Sequence, residues 1–211
     1  MRVIKRFVLI FLLSFPAYGR DQDWGIFQVV KKLPNNQVLF VEYLRRDTGQ
    51  LFDQRFFDYY RVLWGIKIGK VLVAVGPGYI DFEKANDEKR FHEFVILNHS
   101  WQNILELRNR FGLEQRFFNT DSNLYMRLRI RQQFNWLPQH NFGLAIYNEV
   151  FVVPQGFEKF YTGVNENRFG FGPRYVTDEI EFYLYFTQVY QRNLLHKSYP
   201  VWGQLQVQYK F

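Results

Sequence analysis

From residue 104 to residue 118 the chain reads "ILELRNRFGLEQRFF". Leu105, Leu107, Phe111, Leu113 and Phe117 share one parity, and Glu106, Arg108, Arg110, Glu114 and Arg116 share the other. The next stretch, "NLYMRLRIRQQFNWL", repeats the scheme with Leu124, Met126, Leu128, Ile130, Phe134 and Trp136 against Tyr125, Arg127, Arg129, Arg131, Gln133 and Asn135. Wound as helices, both stretches would scatter charge around the whole circumference. As strands they have one apolar and one charged face. The same period of two continues through almost everything after Asp23, and it predicts strands at about 23–33, 37–46, 54–68, 70–83, 90–101, 104–118, 123–137, 142–153, 167–176, 179–192 and 199–211.

Many of these segments exceed the ~5–6 residues of an ordinary globular strand and reach the ~9–11 needed to cross a bilayer at a tilt. Their connections alternate. Short ones fall at 34–36, 69–70, 102–103, 138–141 and 177–178, and longer polar ones at "RDTGQLFDQ", "EKANDEK", "NTDS", "PQGFEKFYTGVNEN" and "NLLHKS". Short periplasmic turns and long extracellular loops are the rule in outer-membrane barrels. The expected fold is therefore an all-β, antiparallel, up-and-down transmembrane barrel of ten to twelve strands. Bacterial single-chain barrels have even strand numbers, so ten or twelve is favoured, although the short turns follow odd-numbered segments. That would start the first strand outside the cell, unless a strand is missed, two are merged, or the first segment lies in the lumen.

The alternation continues to the last residue. In "GQLQVQYKF", Leu205, Val207, Tyr209 and Phe211 lie on one face and glutamines and a lysine on the other. Chain ends are ordinarily frayed and polar, so a terminal aromatic on a two-faced strand reads as a signal for barrel-assembly machinery. The opposite end, "MRVIKRFVLIFLLSFPAYGR", has a basic start (Arg2, Lys5, Arg6), an apolar core from Phe7 to Phe15, and a small-x-small site at Ala17-Tyr18-Gly19. This is the pattern of a cleaved secretory signal peptide over residues 1–19, leaving 20–211 as one barrel domain.

Composition sharpens this picture. Aromatic residues make up 20 % of the chain, with 24 Phe, 14 Tyr and 5 Trp. That suits aromatic belts at a lipid–water interface, for which Trp24, Trp64, Trp101, Trp136, Tyr175 and Trp202 are candidates near strand ends. Mean hydropathy is slightly negative, and no apolar run after the N-terminus approaches the ~20 residues of a spanning helix. There are no cysteines, hence no disulfides or thiolate chemistry. The formal charge of +7 falls to +4 once the three basic residues of the signal are removed. The remaining basic residues are dispersed in alternation, and export argues against a nucleic-acid partner. Alternation does not say which face points outward, and a soluble lipocalin-like binding barrel with an apolar interior is the alternative. Strand length, the aromatics and the terminal pattern favour the membrane.

These residues carry a resemblance. "LRNRFGLEQRFF" (107–118), "YNEVF" (147–151), "ENRFGFGPRY" (166–175) and the terminal "YKF" resemble a family of Gram-negative outer-membrane β-barrel proteins catalogued as a domain of unknown function. The resemblance runs over essentially the whole mature chain. It implies fold and location, the cell outer membrane, and no established activity, so no functional residue is carried over.

The constellation that matters is the charged inner face: Arg61, Glu106, Arg108, Arg110, Glu114, Arg116, Arg127, Arg129, Arg131, Glu149, Arg168, Arg174, Glu179 and Glu181. Two readings stand. Arg–Glu pairs fill a narrow lumen and make a structural barrel, or they line a narrow, anion-preferring, porin-like passage for small solutes. An outer-membrane lipid-modifying enzyme, an acyl hydrolase or transferase, is the alternative. Its support is thin: of His92, His99, His140 and His196 only His99 adjoins a serine, and neighbours on a strand face opposite ways. No metal and no cofactor are expected, since no two histidines lie at ligand spacing. The glycines of "GPGY" (76–79) and "FGFGPRY" (169–175) precede no helix and read as room for large side chains crossing the lumen. The partners expected are outer-membrane lipid and lipopolysaccharide, and the assembly machinery during folding.

Overall fold

The computed structural model describes residues 22–48, 54–83, 85, 87–102, 104–119, 123–139, 141–155, 163–192, 197–198 and 201–211. The strands are β1 (Gln22–Lys32), β2 (Gln37–Thr48), β3 (Gln54–Ile68), β4 (Val71–Phe82), β5 (Glu88–Trp101), β6 (Leu105–Phe118), β7 (Tyr125–Gln139), β8 (Phe142–Val153), β9 (Gly163–Val176), β10 (Ile180–Arg192), β11 (Lys197–Ser198) and β12 (Val201–Lys210). Each of the eleven long strands coincides with one of the predicted segments to within a few residues. Residues 1–19, expected from the sequence to be a signal peptide, lie outside the described residues.

Strands β1 to β10 pair in sequence order, β10 then pairs with β12, and β12 pairs back with β1, so eleven strands close a barrel. The two-residue β11 pairs with β10 in the same register as β12 (Gln191 opposite Ser198, Gln188 opposite Val201) and continues its line. The expectation of an even number is corrected. When every connection is a hairpin, an odd number sends the first and last strands in the same direction. The closing pair β1–β12 is therefore parallel, from Gln22 opposite Trp202 to Val30 opposite Lys210. All other pairs are antiparallel. Among the described residues each long strand answers to one predicted segment, only the two-residue β11 falls outside them, and β1 is part of the wall.

The short connections gather at one rim. Asn35 and Asn36 have φ of 58° and 59°, the two left-handed positions that a tight hairpin turn requires, and Gly69 supplies φ of 60° in the β3–β4 turn. Phe211 lies at this rim, where its amide donates to Val30 O (3.1 Å) and its carbonyl accepts from Lys32 N (3.1 Å).

The apolar face points outward. Phe111, Ile130, Leu144 and Phe171 are 40–53 % exposed, whereas Glu114 and Glu149 facing the interior are 0 % and 1 % exposed. This is the reverse of a soluble barrel with an apolar lumen. Near the short-turn rim Trp64, Trp101, Trp136 and Tyr175 stand outward, joined by Phe142 and Phe211. Trp24 is a correction: it points into the lumen and packs with Leu44, Tyr59, Ile80 and Val189. Parity decides this, because Trp24 shares its face with the inward Ile26 and Gln28. The Trp202 side chain lies outside the described residues.

Candidate functional site

The interior is organised by glutamates that each bind several arginines. Glu114 on β6 accepts from Arg127 on β7 at 2.5 and 2.8 Å and from Arg129 at 3.3 Å. Arg90 and His92 of β5 approach the same carboxylate at 3.6 and 3.7 Å. Glu149 on β8 accepts from Arg129 at 2.6 Å and Arg110 at 2.7 Å, with Arg168 at 3.8 Å. Arg129 therefore links the two hubs. The arrangement follows from register. Arg110 of β6 lies directly opposite Arg131 of β7, and Arg90 of β5 directly opposite Arg116 of β6. Like charges facing each other across strands repel, so each pair depends on a carboxylate within reach. Glu88 binds both Arg90 (2.7 Å) and Arg116 (2.5 Å), and Glu149 takes up Arg110.

A second group lies towards the short-turn rim. Glu106 accepts from Arg108 (3.1 Å) and Asn135 (3.0 Å) and lies 2.9 Å from Arg174. Glu181 accepts from Tyr183 (2.7 Å), lies 3.4 Å from Arg174, and is in close contact with Lys210. Arg61 pairs with Glu42 at 2.8 Å across β2 and β3.

Thus Arg61, Glu106, Arg108, Arg110, Glu114, Arg116, Arg127, Arg129, Arg131, Glu149, Arg168, Arg174 and Glu181 all face the interior. Glu179 does not. It sits exposed in the β9–β10 turn, where its amide donates to Thr177 Oγ1 (3.3 Å). The predicted strand began one residue too early there. Arg131 has no carboxylate within ion-pairing distance among the described residues. It donates to Gln133 (2.8 Å) and lies 4.0 Å from the Tyr147 ring centroid.

Several interior residues escaped the sequence reading: Glu42, Glu88, Arg90, Glu166, His92 and Tyr59. Glu166 binds Arg168 in close contact. Tyr59 Oη and His92 Nε2 are 2.5 Å apart, and the His92 ring stacks on Phe94 at 5.5 Å. The parity signal was present for all of them. In β2 to β5 it was masked because inward positions also carry Phe40, Leu44, Leu63 and Phe94, so those strands are apolar on both faces, and Glu166 fell one residue before the predicted segment 167–176. The glycines divide into two kinds. A Cβ on Gly78 would meet the Tyr59 and His92 side chains, and one on Gly170 the Tyr147 ring, as expected of room for large side chains. One on Gly76 or Gly172 would instead strike the backbone of the neighbouring strand.

The network lines a cavity of about 510 Å³, whose wall is completed by residues of β1 to β5 and β12. Nine arginines and three lysines line it against three glutamates, Glu42, Glu149 and Glu166. Among the described residues no group of three His, Cys, Asp or Glu is placed to hold a metal ion. Such a wall can attract anions and can hold small solutes by charge-assisted hydrogen bonds.

A family model described as protein of unknown function (DUF2490) matches residues 22–195, leaving out the first 21 residues and the stretch that holds the last strand. The chain belongs to this family. No curated protein matches it. The matched residues include both carboxylate hubs, Glu114 and Glu149.

Proposed function

We propose that this chain is an outer-membrane β-barrel, exported by a cleaved signal peptide, whose lumen is a narrow passage for small anionic solutes. The observation that carries the passage is the cavity of about 510 Å³ with its excess of arginine and lysine. Ion selectivity follows the sign of the groups that ring a pore. Membrane residence is supported by the outward apolar band and the exposed Trp64, Trp101 and Trp136. On this reading the barrel contacts outer-membrane lipid and lipopolysaccharide, uses no cofactor and catalyses no reaction.

Planar-bilayer recording of the refolded protein tests the passage. Single-channel steps should reverse, in a KCl gradient, at a potential showing chloride preference, and Arg131→Glu should weaken that preference. A silent bilayer containing correctly folded barrel would favour the second reading, a structural barrel filled by its Arg–Glu network. Hydrolysis of labelled phospholipid by the refolded protein would favour the lipid-modifying enzyme instead.

The face of Leu205, Val207, Tyr209 and Phe211 is proposed as the signal read by barrel-assembly machinery. Phe211→Ala keeps both backbone hydrogen bonds to β1, so unfolding measured after refolding should be nearly unchanged. Yield in the outer membrane should fall. Equal losses in both settings would make Phe211 a packing residue only.

A further inference from the structure

The wall of the cavity is not uniform. On β6 and β7 it is cationic, with Arg108, Arg110, Arg127, Arg129 and Arg131. On β1 to β5 hydrocarbon stands among Arg46, Arg61 and Arg90: Ile26, Val38, Phe40, Leu72 and Ile96 point inward, line the cavity and remain only half-buried. Transmembrane barrels ordinarily have polar interiors. Hydrocarbon kept wet in a lumen forgoes the free energy that burial would return, so an apolar wall facing water is unfavourable unless a ligand covers it.

The arginines of the cavity have a matching deficit. Arg61 of β3, only 4 % exposed, has its Nε and Nη1 without an acceptor among the described residues, and Arg108 Nε and Arg110 Nε of β6 are likewise buried and unmatched there. These groups adjoin the apolar wall directly. The Arg61 and Arg110 guanidinium carbons lie 5.1 and 5.3 Å from the Phe94 ring centroid, and Phe94 packs with Phe40 and Ile96. A cavity of about 510 Å³ falls within the roughly 300–1,000 Å³ of small-molecule sites.

We propose that the lumen binds an amphipathic anion, a single hydrocarbon chain ending in a carboxylate or phosphate. The chain lies on the β1–β5 wall and the head is held by the arginines of β6 and β7. This deepens the reading of the lumen as an anion passage and rests on it.

The test uses full-length protein refolded in phosphatidylcholine nanodiscs, with empty nanodiscs as the partition control. Sodium decanoate, decyl phosphate, decanol and sodium acetate are titrated in turn. Saturable binding of decanoate, at one per barrel and at least tenfold tighter than decanol or acetate, is expected. Comparable binding of decyl phosphate would assign the site to either anionic head, and its absence would restrict the head to carboxylate. Two variants locate the site, each checked for folding by its gel mobility before and after boiling. Arg131→Gln, which leaves no carboxylate orphaned, should weaken decanoate severalfold without affecting decanol. Leu72→Gln should weaken decanoate without affecting acetate. If decanoate binds no tighter than acetate while chloride still conducts, the amphiphile is overturned and the anion passage stands. If nothing binds and nothing conducts, both fall.

Discussion

At the scale of single residues, two carboxylates organise the interior. Glu114 and Glu149 are almost fully buried, and each faces more than one arginine. Removing the charge at a buried hub leaves cations unpaired, which costs ~3–5 kcal/mol, whereas removing a cation that no carboxylate needs costs little. Glu114→Gln is therefore expected to lower the unfolding free energy by about 3–5 kcal/mol, and Arg131→Gln by under about 1 kcal/mol. Urea unfolding of the refolded barrel in one lipid system measures both. Equal effects would show that the hub description is mistaken. Gly170 makes a second residue-scale prediction. A Cβ there would lie 2.2 Å from the Tyr147 ring. That ring cannot simply swing away, because Tyr147 Oη binds Thr187 Oγ1 (2.8 Å) and Gln204 Oε1 (3.1 Å). Gly170→Ala should cost ~1–3 kcal/mol by overpacking in the same unfolding assay. The need for space at 169–175 was legible in the sequence. That Tyr147 fills it was not, because the two residues meet only through the β8–β9 register, where they are directly opposite.

At the scale of elements, β7 has the clearest division of faces. Ile130 is 40 % exposed on the outer surface, opposite Phe111 and Val150, while Arg129 beside it spans both glutamate hubs. If the outer surface meets lipid, Ile130→Arg should destabilise the barrel by ~2–4 kcal/mol in bilayers, the cost of a cation near the midplane. Chemical unfolding from vesicles measures it, and a neutral result would argue against a lipid-facing β7. The strands divide by how well their sequences announced them. In β6 and β7 one parity is charged and the other apolar, so boundaries and faces were both readable. In β2 to β5 hydrocarbon occupies both parities, so the strands were readable and their inward residues were not. That obscurity has a physical origin in the lumen, whose β1–β5 wall itself carries hydrocarbon.

At the scale of the whole molecule, the odd strand number has the largest consequence. A parallel seam pairs residues at a constant sequence difference, so Phe27 faces Val207 and Val29 faces Tyr209. The chain contains no cysteine. Phe27→Cys with Val207→Cys, and separately Val29→Cys with Tyr209→Cys, should both oxidise to intramolecular disulfides, since paired strand residues lie within the usual ~4.4–6.8 Å between Cα atoms. Non-reducing gels detect them. An antiparallel seam could satisfy only one of the two pairs, and an open barrel neither. Because every long strand has a neighbour on both sides, the folded protein should also resist SDS until boiled. Identical gel mobility before and after boiling would contradict a closed barrel in a membrane.

The sequence by itself determined which residues form strands, where the turns fall, and which residues share a face. These are local properties: a period of two along the chain and turn residues such as Asn35-Asn36 act over a few positions. Which face turns outward, that the seam is parallel, and which carboxylate meets which guanidinium were decided only by the tertiary structure. Glu114 meets Arg90 and Arg127, and Glu149 meets Arg110, because strand registers accumulate around a closed wall and side chains converge across its interior. The placement of Glu179 in a turn and of Trp24 in the lumen has the same cause: a shift of one residue, or one parity, moves a side chain to a different environment, and only the closed register sets it.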